Sequence, residues 1–378
     1  MTKITHDKFG PEYILEVYDA KIGMRGFLVI DNTWLGPGKG GIRMTPDITI
    51  EETYELARTM TWKNALAELP FGGAKAGIIF DPKKCSKSEK KEMVQAFSRA
   101  LKPLLPGKYI AGPDMNSGEE EMQWFVEANG KWRSATGKPS QLCIDVFTKK
   151  GSRRHCGIPH EFGSTGFGVA NATKIATEYA NINIEGTSVA IEGFGNVGEF
   201  AARYLEKMGA KIVATSDISG AIYNKDGLNF SEILKAKRNG SVSEYKNSSK
   251  LKHEDIFELP VDILIPASIP NVIHKDNYRK VKAKIIIEGA NVPIPHDIEN
   301  KLHDLGILVV PDIIANAGGV ISSYAEYRGY NPKDMLEMVR RKIVKNTKLI
   351  LESSKNNKTT PRAEAMKIAR KRVESASR

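Results

Sequence analysis

Residues 187–217 of the chain, TSVAIEGFGNVGEFAARYLEKMGAKIVATSD, contain the pattern that decides the fold. An apolar strand over Thr187–Glu192 runs into the glycine-rich turn Gly193–Gly198, and a helix over Glu199–Met208 leads to a second strand that ends at Asp217. Glycines in such a turn let a pyrophosphate approach the start of the helix, where free N–H groups and the helix dipole favour anions. The order strand, turn, helix and strand predicts a Rossmann-type dinucleotide-binding domain.

The same stretch predicts which residues contact the dinucleotide. Asp217 lies nineteen residues after Gly198, at a place where an acidic side chain accepts hydrogen bonds from ribose hydroxyls. Because it would also repel a 2′-phosphate, Asp217 favours NAD slightly over NADP. A later strand-like run ends in a loop at Ala267, a further predicted contact, since ligands bind beyond the carboxyl ends of parallel strands. The predicted contacts in the turn itself are Gly193, Phe194, Gly195, Asn196, Val197 and Gly198.

A second glycine-rich stretch, LPFGGAKAG at Leu69–Gly77, contains the lysine that we expect to carry the chemistry. Lys75 follows Gly72 and Gly73, whose lack of a Cβ lets the backbone adopt positive φ and lets a ligand come close. An ammonium group held beside apolar residues loses hydration, so its charged form is disfavoured, and it becomes a usable acid–base group near neutral pH. The alternative is a surface lysine on a glycine-rich turn.

Two more lysines and one carboxylate accompany Lys75. Lys39 lies in a glycine-rich loop, and Lys63 lies near the end of a predicted helix. Because Lys63 and Lys75 flank one turn, both can face the same cavity. Asp114 follows a short predicted strand, which is a usual position for a functional side chain. Its alternative role is to cap the helix that follows.

Four potential zinc ligands lie between residues 137 and 164, namely Cys143, His155, Cys156 and His160. Their spacing matches no usual zinc motif, so a surface loop without a metal is the simpler interpretation. With Cys85 the chain has three cysteines and no CxxC pair, and a disulfide framework is therefore not expected. Reduced cysteines fit a cytoplasmic location.

The composition excludes two classes of partner. The 378 residues are 41% hydrophobic and 27% charged, which is ordinary for a globular protein of about two domains. The sequence contains no apolar run long enough to span a bilayer, so no membrane partner is expected. The net charge is +11, and residues 331–378 contain 14 Lys/Arg against 5 Asp/Glu. Because that segment has helical periodicity, its charges are predicted to lie on a solvated helix face, and no nucleic-acid partner is expected.

Eight short motifs, taken in chain order, resemble the Glu/Leu/Phe/Val amino-acid dehydrogenase family. They span roughly residues 24–326 and read GKGGIR, MTWKNA, LPFGGAKAG, GPDM, STGFG, GFGNVG, EGAN and PDIIANAGGV. The resemblance implies an α/β fold of two domains with a cleft between them. It also implies reversible oxidative deamination of an L-amino acid to a 2-oxo acid and ammonia, with NAD or NADP as the cofactor.

The resemblance implies roles for individual residues. Lys75 matches the family's catalytic lysine, which activates a water, and Asp114 matches the acid that moves the other proton. Lys63 matches the lysine that binds the substrate α-carboxylate. Three further positions match residues beside the nicotinamide or the substrate, namely Thr165, Asn291 and Asn316.

Two positions distinguish the substrates of this family. Glutamate-type members bind the side-chain carboxylate with a lysine and a serine, whereas leucine- and phenylalanine-type members have apolar residues at both places. This chain has Lys39 and Ser323 there, and an ammonium group buried beside an aliphatic substrate would be costly. We therefore predict L-glutamate and 2-oxoglutarate as substrates. The short N-terminal region favours the alternative, a branched-chain or aromatic amino-acid dehydrogenase.

The predicted domain boundaries follow the motifs. Residues 1–165 form the substrate-binding and oligomerisation domain, completed by helices over 320–378, and residues 166–319 form the dinucleotide-binding domain. The family assembles through its first domain, which implies a homo-oligomer, here a homohexamer. The basic segment 149–156 departs from the family pattern, and its cations could favour NADP despite Asp217. A non-catalytic nucleotide sensor or nucleic-acid-binding protein is a third hypothesis, against which the retained lysines and Asp114 argue.

Overall fold

The computed structural model describes residues 4–81, 83–148 and 151–377, which form two compact units. The first unit ends at Phe162 and also contains Val320–Met335 and the chain from Ile368 onward. The second unit consists of Gly163–Gly319 and Leu336–Lys367. Each unit combines helices with a central β-sheet, so the predicted α/β fold of two domains is confirmed.

The first unit is built on a mixed sheet of six strands, in the order β1-β2-β5-β3-β6 with β4 also paired to β5. The strands are β1 Tyr13–Asp19, β2 Met24–Asn32, β3 Gly38–Lys39, β4 Ile42–Thr45, β5 Gly72–Ile79 and β6 Tyr109–Ile110. The helices are α1 Ile50–Leu66, α2 Lys87–Ala100 and α3 Glu119–Asn129. Because α1 packs on β2 and β5 and α2 packs on β1 and β2, strands β2 and β5 are buried almost throughout.

The helix starts of the first unit follow ordinary capping chemistry. Helix α1 begins after Thr49, whose hydroxyl accepts a hydrogen bond from the backbone N–H of Glu52 at 3.1 Å. Helix α3 begins after Gly118, whose N–H donates to the carboxylate of Glu121 at 2.6 Å. The alternative in which Asp114 caps α3 is therefore wrong, and the carboxylate of Asp114 is available for another role.

Residues 143–156 form a β-hairpin that the sequence did not predict. Strand β7 (Cys143–Thr148) pairs antiparallel with β8 (Gly151–Cys156), and this register places Cys143 directly opposite Cys156. The two cysteines form a disulfide, so the expectation of no disulfide is wrong. The pairing depends on the strand register, which no cysteine motif indicates.

The hairpin also corrects the interpretation of this region as a surface loop or a zinc site. Both cysteines are bonded to each other, and the described residues contain no group of His, Cys, Asp or Glu side chains that could hold a metal. Arg153 and Arg154 are exposed on β8, whereas Lys149 and Lys150 lie outside the described residues. In the same described part of the chain, no helix combines the length and the apolar character needed to cross a membrane.

The second unit contains a sheet of seven strands in the order β12-β11-β10-β9-β13-β14-β15. The strands are β9 Ser188–Glu192, β10 Lys211–Asp217, β11 Gly220–Tyr223, β12 Ser249–Leu251, β13 Ile263–Pro266, β14 Ile285–Ile287 and β15 Leu308–Val310. Strands β10, β9, β13, β14 and β15 run parallel. The helices are α4 Ser164–Tyr179, α5 Asn196–Lys207, α6 Phe230–Arg238, α7 His296–Asp304 and α8 Asp312–Ala315. The order β9, turn, α5 and β10 confirms the predicted strand, turn, helix and strand.

The chain ends in helices α9 Gly318–Arg328, α10 Pro332–Asn357 and α11 Pro361–Ala376. The structure corrects the prediction that all of 320–378 completes the first domain, because Leu336–Lys367 belongs to the second unit. The physical reason is an ion-pair cluster of the second unit, in which Arg362 donates hydrogen bonds to the buried carboxylates of Glu288, Glu299 and Asp312. The first boundary lies at Gly163 rather than at 166.

Candidate active site

Lys75 lies in the middle of β5, in the first unit. The glycines before it allow close packing, since a Cβ on Gly73 would lie 2.1 Å from the hydroxyl of Thr61 on α1, and one on Gly72 would lie 1.8 Å from the carbonyl oxygen of Asn32. Neither glycine has a positive φ, so that part of the prediction is wrong. The close contact between α1 and β5 buries Lys75, which is 5% exposed, and the alternative of a surface lysine on a turn is excluded.

Asp114 is the ionic partner of Lys75. The ammonium group of Lys75 donates to Oδ2 of Asp114, and Nε of Arg43 donates to Oδ1 at 2.9 Å. Arg43 also pairs with Glu52 on α1 at 2.5 Å. Burial alone would raise the pKa of Asp114, but the charges of Lys75 and Arg43 hold it well below its usual range. Asp114 is therefore an ionised carboxylate with one oxygen on each cation.

Lys39 lies on β3 and is 3% exposed. Its ammonium group donates to the carbonyl oxygen of Ala111 at 2.8 Å. Burial lowers the pKa of Lys39 from 10.5 to about 7; the charge of Glu326 opposes this shift, and the charges of Lys75 and Lys138 add to it. A cation in this position gains stability from any anion that reaches it.

The hydroxyl of Thr136 lies in the surroundings of Lys39. A Cβ on Gly112 would lie 2.4 Å from Nζ of Lys39 and 3.9 Å from Oγ1 of Thr136, so both groups border this glycine. Thr136 is 1% exposed, and its hydroxyl has no hydrogen-bond partner among the residues that the structure describes. Because a buried polar group without a partner is costly, Lys39 and Thr136 together indicate a place for a polar ligand group.

The other predicted substrate-binding residues of the first unit are Lys63 and Ser323. Lys63 occupies the last turn of α1, the helix that packs on β5, and is 6% exposed. Ser323 lies on α9, and the next residue, Tyr324, packs edge-on against Phe71 with ring centroids 5.6 Å apart. Since Phe71 directly precedes β5, helix α9 reaches the start of the strand that carries Lys75. The structure thus places in one unit Lys39, Lys63, Lys75, Asp114 and Ser323.

Two residues near this site received no role from the sequence. Arg43 lies in the GKGGIR motif beside Lys39, so the motif was a signal, but its bond to Asp114 depends on the fold. His160 begins a short 3₁₀ turn, and the charges of Lys39 and Asp114 both act on its imidazole. The sequence contained no signal for His160, because the unpredicted hairpin separates it from the motifs.

The glycine-rich turn of the second unit fits a dinucleotide. Gly193 has φ +92°, and a Cβ there would lie 2.7 Å from Cβ of Ser268. A Cβ on Gly195, by contrast, would meet no described atom within 4 Å, and Gly195 caps the twelve-residue helix α5. This open space at a helix N-terminus suits the pyrophosphate of NAD(P). The side chain of Phe194 is buried, so only its backbone faces the turn.

The carboxylate of Asp217 is occupied by the protein itself. One oxygen accepts hydrogen bonds from the Ser241 hydroxyl and the Ser219 N–H at 2.9 Å, and the other accepts from Lys237 at 2.8 Å and from the Val242 N–H at 2.9 Å. Burial raises the pKa of Asp217, but these bonds lower it overall. With its four lone-pair sites used, Asp217 does not support the argument for NAD over NADP.

Asp217→Asn is expected to shift the ratio of kcat/KM with NADH to that with NADPH by less than about threefold. The loss of bonds to Lys237 and Ser241 should instead lower the thermal midpoint, by an amount equivalent to about 1–3 kcal/mol. Asp226→Asn, on the exposed surface of the same unit, is the control. A shift of more than tenfold toward NADPH would show that the carboxylate does contact the ribose.

Four further predicted residues lie in the second unit. The amide of Asn316 donates to the Ala290 carbonyl at 2.9 Å and to Oδ1 of Asn291 at 3.2 Å, so these residues are neighbours. Ala267 follows β13, and its N–H donates to the Glu192 carbonyl at the end of β9 at 2.7 Å. The carboxyl ends of the parallel strands thus bring together Ala267, Asn291 and Asn316. Thr165 lies in the first turn of α4, where its hydroxyl would be 3.1 Å from a Cβ on Gly319.

Comparisons with known proteins agree with these arrangements. The profile of the family described as "Glutamate/Leucine/Phenylalanine/Valine dehydrogenase" matches residues 156–378, and that of the "Glu/Leu/Phe/Val dehydrogenase, dimerisation domain" matches residues 11–131. An NADP-specific glutamate dehydrogenase of Saccharolobus shibatae is 42% identical over 298 residues, which cover 78% of this chain and 69% of the relative. An NAD-specific glutamate dehydrogenase of Staphylococcus aureus is 36% identical over 366 residues, which cover 93% and 85%.

The fold is also shared with solved structures. The hetero-hexameric glutamate dehydrogenase of Thermus thermophilus, in a leucine-bound form, superimposes with a TM-score of 0.83 at 26% identity, and the match covers 97% of this chain and 89% of that one. The two profiles together cover most of this chain, and both relatives exceed 30% identity. The chain therefore belongs to the Glu/Leu/Phe/Val dehydrogenase family, as its motifs implied.

Proposed function

We propose that the chain catalyses the reversible, NAD(P)-dependent oxidative deamination of L-glutamate to 2-oxoglutarate and ammonia. The observation that carries this proposal is the buried ammonium group of Lys39, which donates to a carbonyl oxygen and has a pKa lowered to about 7. A distal carboxylate on the substrate would supply the counter-charge. The names of the two relatives, both glutamate dehydrogenases, support the same substrate.

A branched-chain or aromatic substrate fits this place less well. Its apolar side chain would leave the Lys39 ammonium beside hydrocarbon and would leave the Thr136 hydroxyl without a partner. Each buried polar group that loses its partner in this way costs about 1–3 kcal/mol, and a charged group costs more. A carboxylate, which accepts up to about four hydrogen bonds, can satisfy both groups.

Lys75 and Asp114 form the proposed proton-transfer pair. In oxidative deamination the α-hydrogen of the substrate leaves as hydride, and water then replaces the nitrogen at the α-carbon. We assign to Lys75 the proton taken from that water and to Asp114 the proton given to the departing nitrogen. Arg43 holds Oδ1 of Asp114, which leaves Oδ2 directed at Lys75. Lys63 is assigned to the substrate α-carboxylate.

The second unit contains the proposed cofactor site. NAD(P), when bound, supplies the acceptor for the hydride. The residues of the turn from Gly193 to Gly198 would hold its pyrophosphate at the N-terminus of α5. The polar side chains of Thr165, Asn291 and Asn316, with the loop at Ala267, would border the nicotinamide and the substrate.

The pH dependence of substrate selection tests the role of Lys39. In the free protein Lys39 loses its proton near pH 7, whereas a bound carboxylate keeps it charged, so dicarboxylate binding requires proton uptake above pH 7. We expect the ratio of KM for 2-oxoglutarate to KM for 2-oxopentanoate, which lacks the distal carboxylate, to rise above pH 7 by up to about tenfold per pH unit. Below about pH 6 the ratio should be constant.

The ratio of the two KM values cancels the pH effects that both substrates share. Both oxo acids are assayed by reductive amination at saturating ammonia, with NADH and with NADPH. Lys39→Leu should lose most of its activity on 2-oxoglutarate and should give a ratio that does not change with pH. A native protein that prefers 2-oxopentanoate, or whose ratio is flat from pH 6 to 9, would contradict the proposal.

We propose in addition that the chain forms a homohexamer in the cytoplasm. The Thermus thermophilus structure is described as hexameric, and residues 11–131 match a dimerisation domain. The use of NAD(P), an intracellular cofactor, supports the location. Light scattering of the purified protein tests the assembly, and cell fractionation tests the location.

A further inference from the structure

His160 follows a firmly anchored segment of the first unit. A Cβ on Gly157 would lie 2.3 Å from the carbonyl oxygen of Lys138, so Gly157 packs directly on this backbone. The next residue, Ile158, is buried, and its N–H donates to Oε2 of Glu326 at 2.9 Å. Two consecutive residues are thus held in place shortly before the imidazole.

The anchor of this segment is itself rigid. The side chains of Glu326 and Lys138 are both fully buried and form an ion pair. Oε2 of Glu326 also accepts a hydrogen bond from the Gly137 N–H at 2.7 Å, and Nζ of Lys138 lies 3.7 Å from the centroid of the Trp132 ring. A buried carboxylate with several partners occupies one position, so the backbone leading to His160 is well defined.

The imidazole of His160 lies in the electrostatic surroundings of the proposed substrate site. Burial of its surroundings lowers the pKa of His160, the positive charge of Lys39 lowers it further, and Asp114 opposes the shift. The ring is therefore neutral at pH 7, and it still has an exposed surface that a ligand can reach. Glu326, which anchors the segment, is also one of the charges that act on Lys39.

We propose that His160 is a specificity-determining residue whose imidazole N–H donates a hydrogen bond to the distal carboxylate of the substrate, beside Lys39. This inference rests on the proposed function, because it requires a dicarboxylate substrate. A neutral imidazole has one N–H donor, and it adds this donor without adding a second cation next to Lys39. Lys39, Thr136 and His160 then bind the same carboxylate.

Two other roles for His160 give different kinetic results. A ring that only packs against its neighbours would affect substrates with and without the distal carboxylate equally. A ring that relays protons to Asp114 would change kcat for every substrate and leave KM unaltered. The donor role changes KM for the dicarboxylate alone, so the pattern of KM and kcat over two substrates separates the three roles.

The test compares His160→Leu and His160→Gln with the native protein, using 2-oxoglutarate and 2-oxopentanoate at saturating ammonia and cofactor. His160→Leu is expected to raise KM for 2-oxoglutarate by about 10- to 100-fold, the range for a hydrogen bond to a charged group. KM for 2-oxopentanoate and both kcat values should stay within about threefold. His160→Gln keeps an N–H donor and should recover most of the affinity.

His6→Leu, which replaces an exposed histidine of the same unit, is the matched control and should behave as the native protein. The inhibition constant of glutarate, measured beside that of pentanoate, gives a second readout that does not depend on turnover. Equal effects of His160→Leu on both substrates, or a loss of kcat alone, would overturn the inference. A native protein that does not prefer 2-oxoglutarate would refute the proposed function and the inference together, and it would do so before any substitution is made.

Discussion

Replacement of Lys75 by methionine is expected to lower kcat for both L-glutamate and 2-oxoglutarate by about 10²- to 10⁴-fold, the contribution of a positioned acid–base group. Methionine fills a volume similar to that of lysine in β5 but cannot exchange a proton. Asp114 keeps Arg43 as its ionic partner at 2.9 Å, so the substitution does not leave an unpaired buried carboxylate. Steady-state kinetics in both directions of the reaction measure the loss.

Lys90 provides the matched control for this experiment. Like Lys75, it is a mostly buried lysine of the first unit that pairs with a carboxylate, here Glu121 at 2.6 Å, but it lies outside the proposed site. Lys90→Met should keep the native kcat, and the thermal midpoints of both variants show whether they are folded. Native turnover by Lys75→Met would refute the assignment of Lys75 as the acid–base residue.

Arg362→Leu is expected to destabilise the second unit by about 3–5 kcal/mol, the effect of removing one partner from a buried ion pair. The guanidinium donates to Glu299 at 2.5 Å, to Glu288 at 2.7 Å and to Asp312 at 2.8 Å, and all three carboxylates are at most 4% exposed. Without the guanidinium, three acidic side chains share a buried volume with no cation. The midpoint of thermal unfolding measures the effect.

The loss of stability in Arg362→Leu should depend on pH. Burial raises the pKa of Glu299 to about 7 and raises that of Glu288 well above its usual value, and Arg362 opposes both shifts. Because the folded state binds more protons than the unfolded state, the native protein already loses stability as the pH rises from about 4.5 through 7. Removing Arg362 raises both pKa values further, so we expect a larger deficit at pH 8 than at pH 5.

Arg340→Leu is the control for the ion-pair cluster. Arg340 pairs with Glu337 on α10, in the same unit, but both side chains are about half exposed, and such surface pairs contribute less than about 1 kcal/mol. The thermal midpoint of Arg340→Leu should therefore stay close to the native value at both pH values. A deficit in Arg362→Leu that was no larger than in this control would contradict the role of the cluster.

Most of the fold could be predicted because its signals are local. The turn Gly193–Gly198 and its flanking strand and helix follow from glycine spacing and hydrophobic periodicity, which act within a few residues. The hairpin over 143–156 could not be predicted, since its pairing places Cys143 opposite Cys156 only in one register. The division of the C-terminal helices also escaped prediction, because it depends on contacts of Arg362 with residues 50 to 74 positions away.

The candidate site was predicted as a list of residues and not as a set of contacts. Lys75 and Asp114 were identified separately, but their ion pair joins residues 39 positions apart. Asp217 was at the predicted strand end, yet Lys237 and Ser241 occupy its carboxylate. These partners come from helix and loop packing that no motif describes.

The sequence by itself determined the two-domain α/β class, the dinucleotide turn, the family and the lysines of the first domain, because glycine spacing, periodicity and short motifs are properties of neighbouring residues. Only the tertiary structure decided which charges meet: Lys75 with Asp114, Lys39 with a carbonyl oxygen and Thr136 nearby, and His160 beside them. The physical reason is that a pKa or an ion pair depends on burial and on distances of a few ångströms between groups far apart in the chain. Strand register and helix packing set those distances.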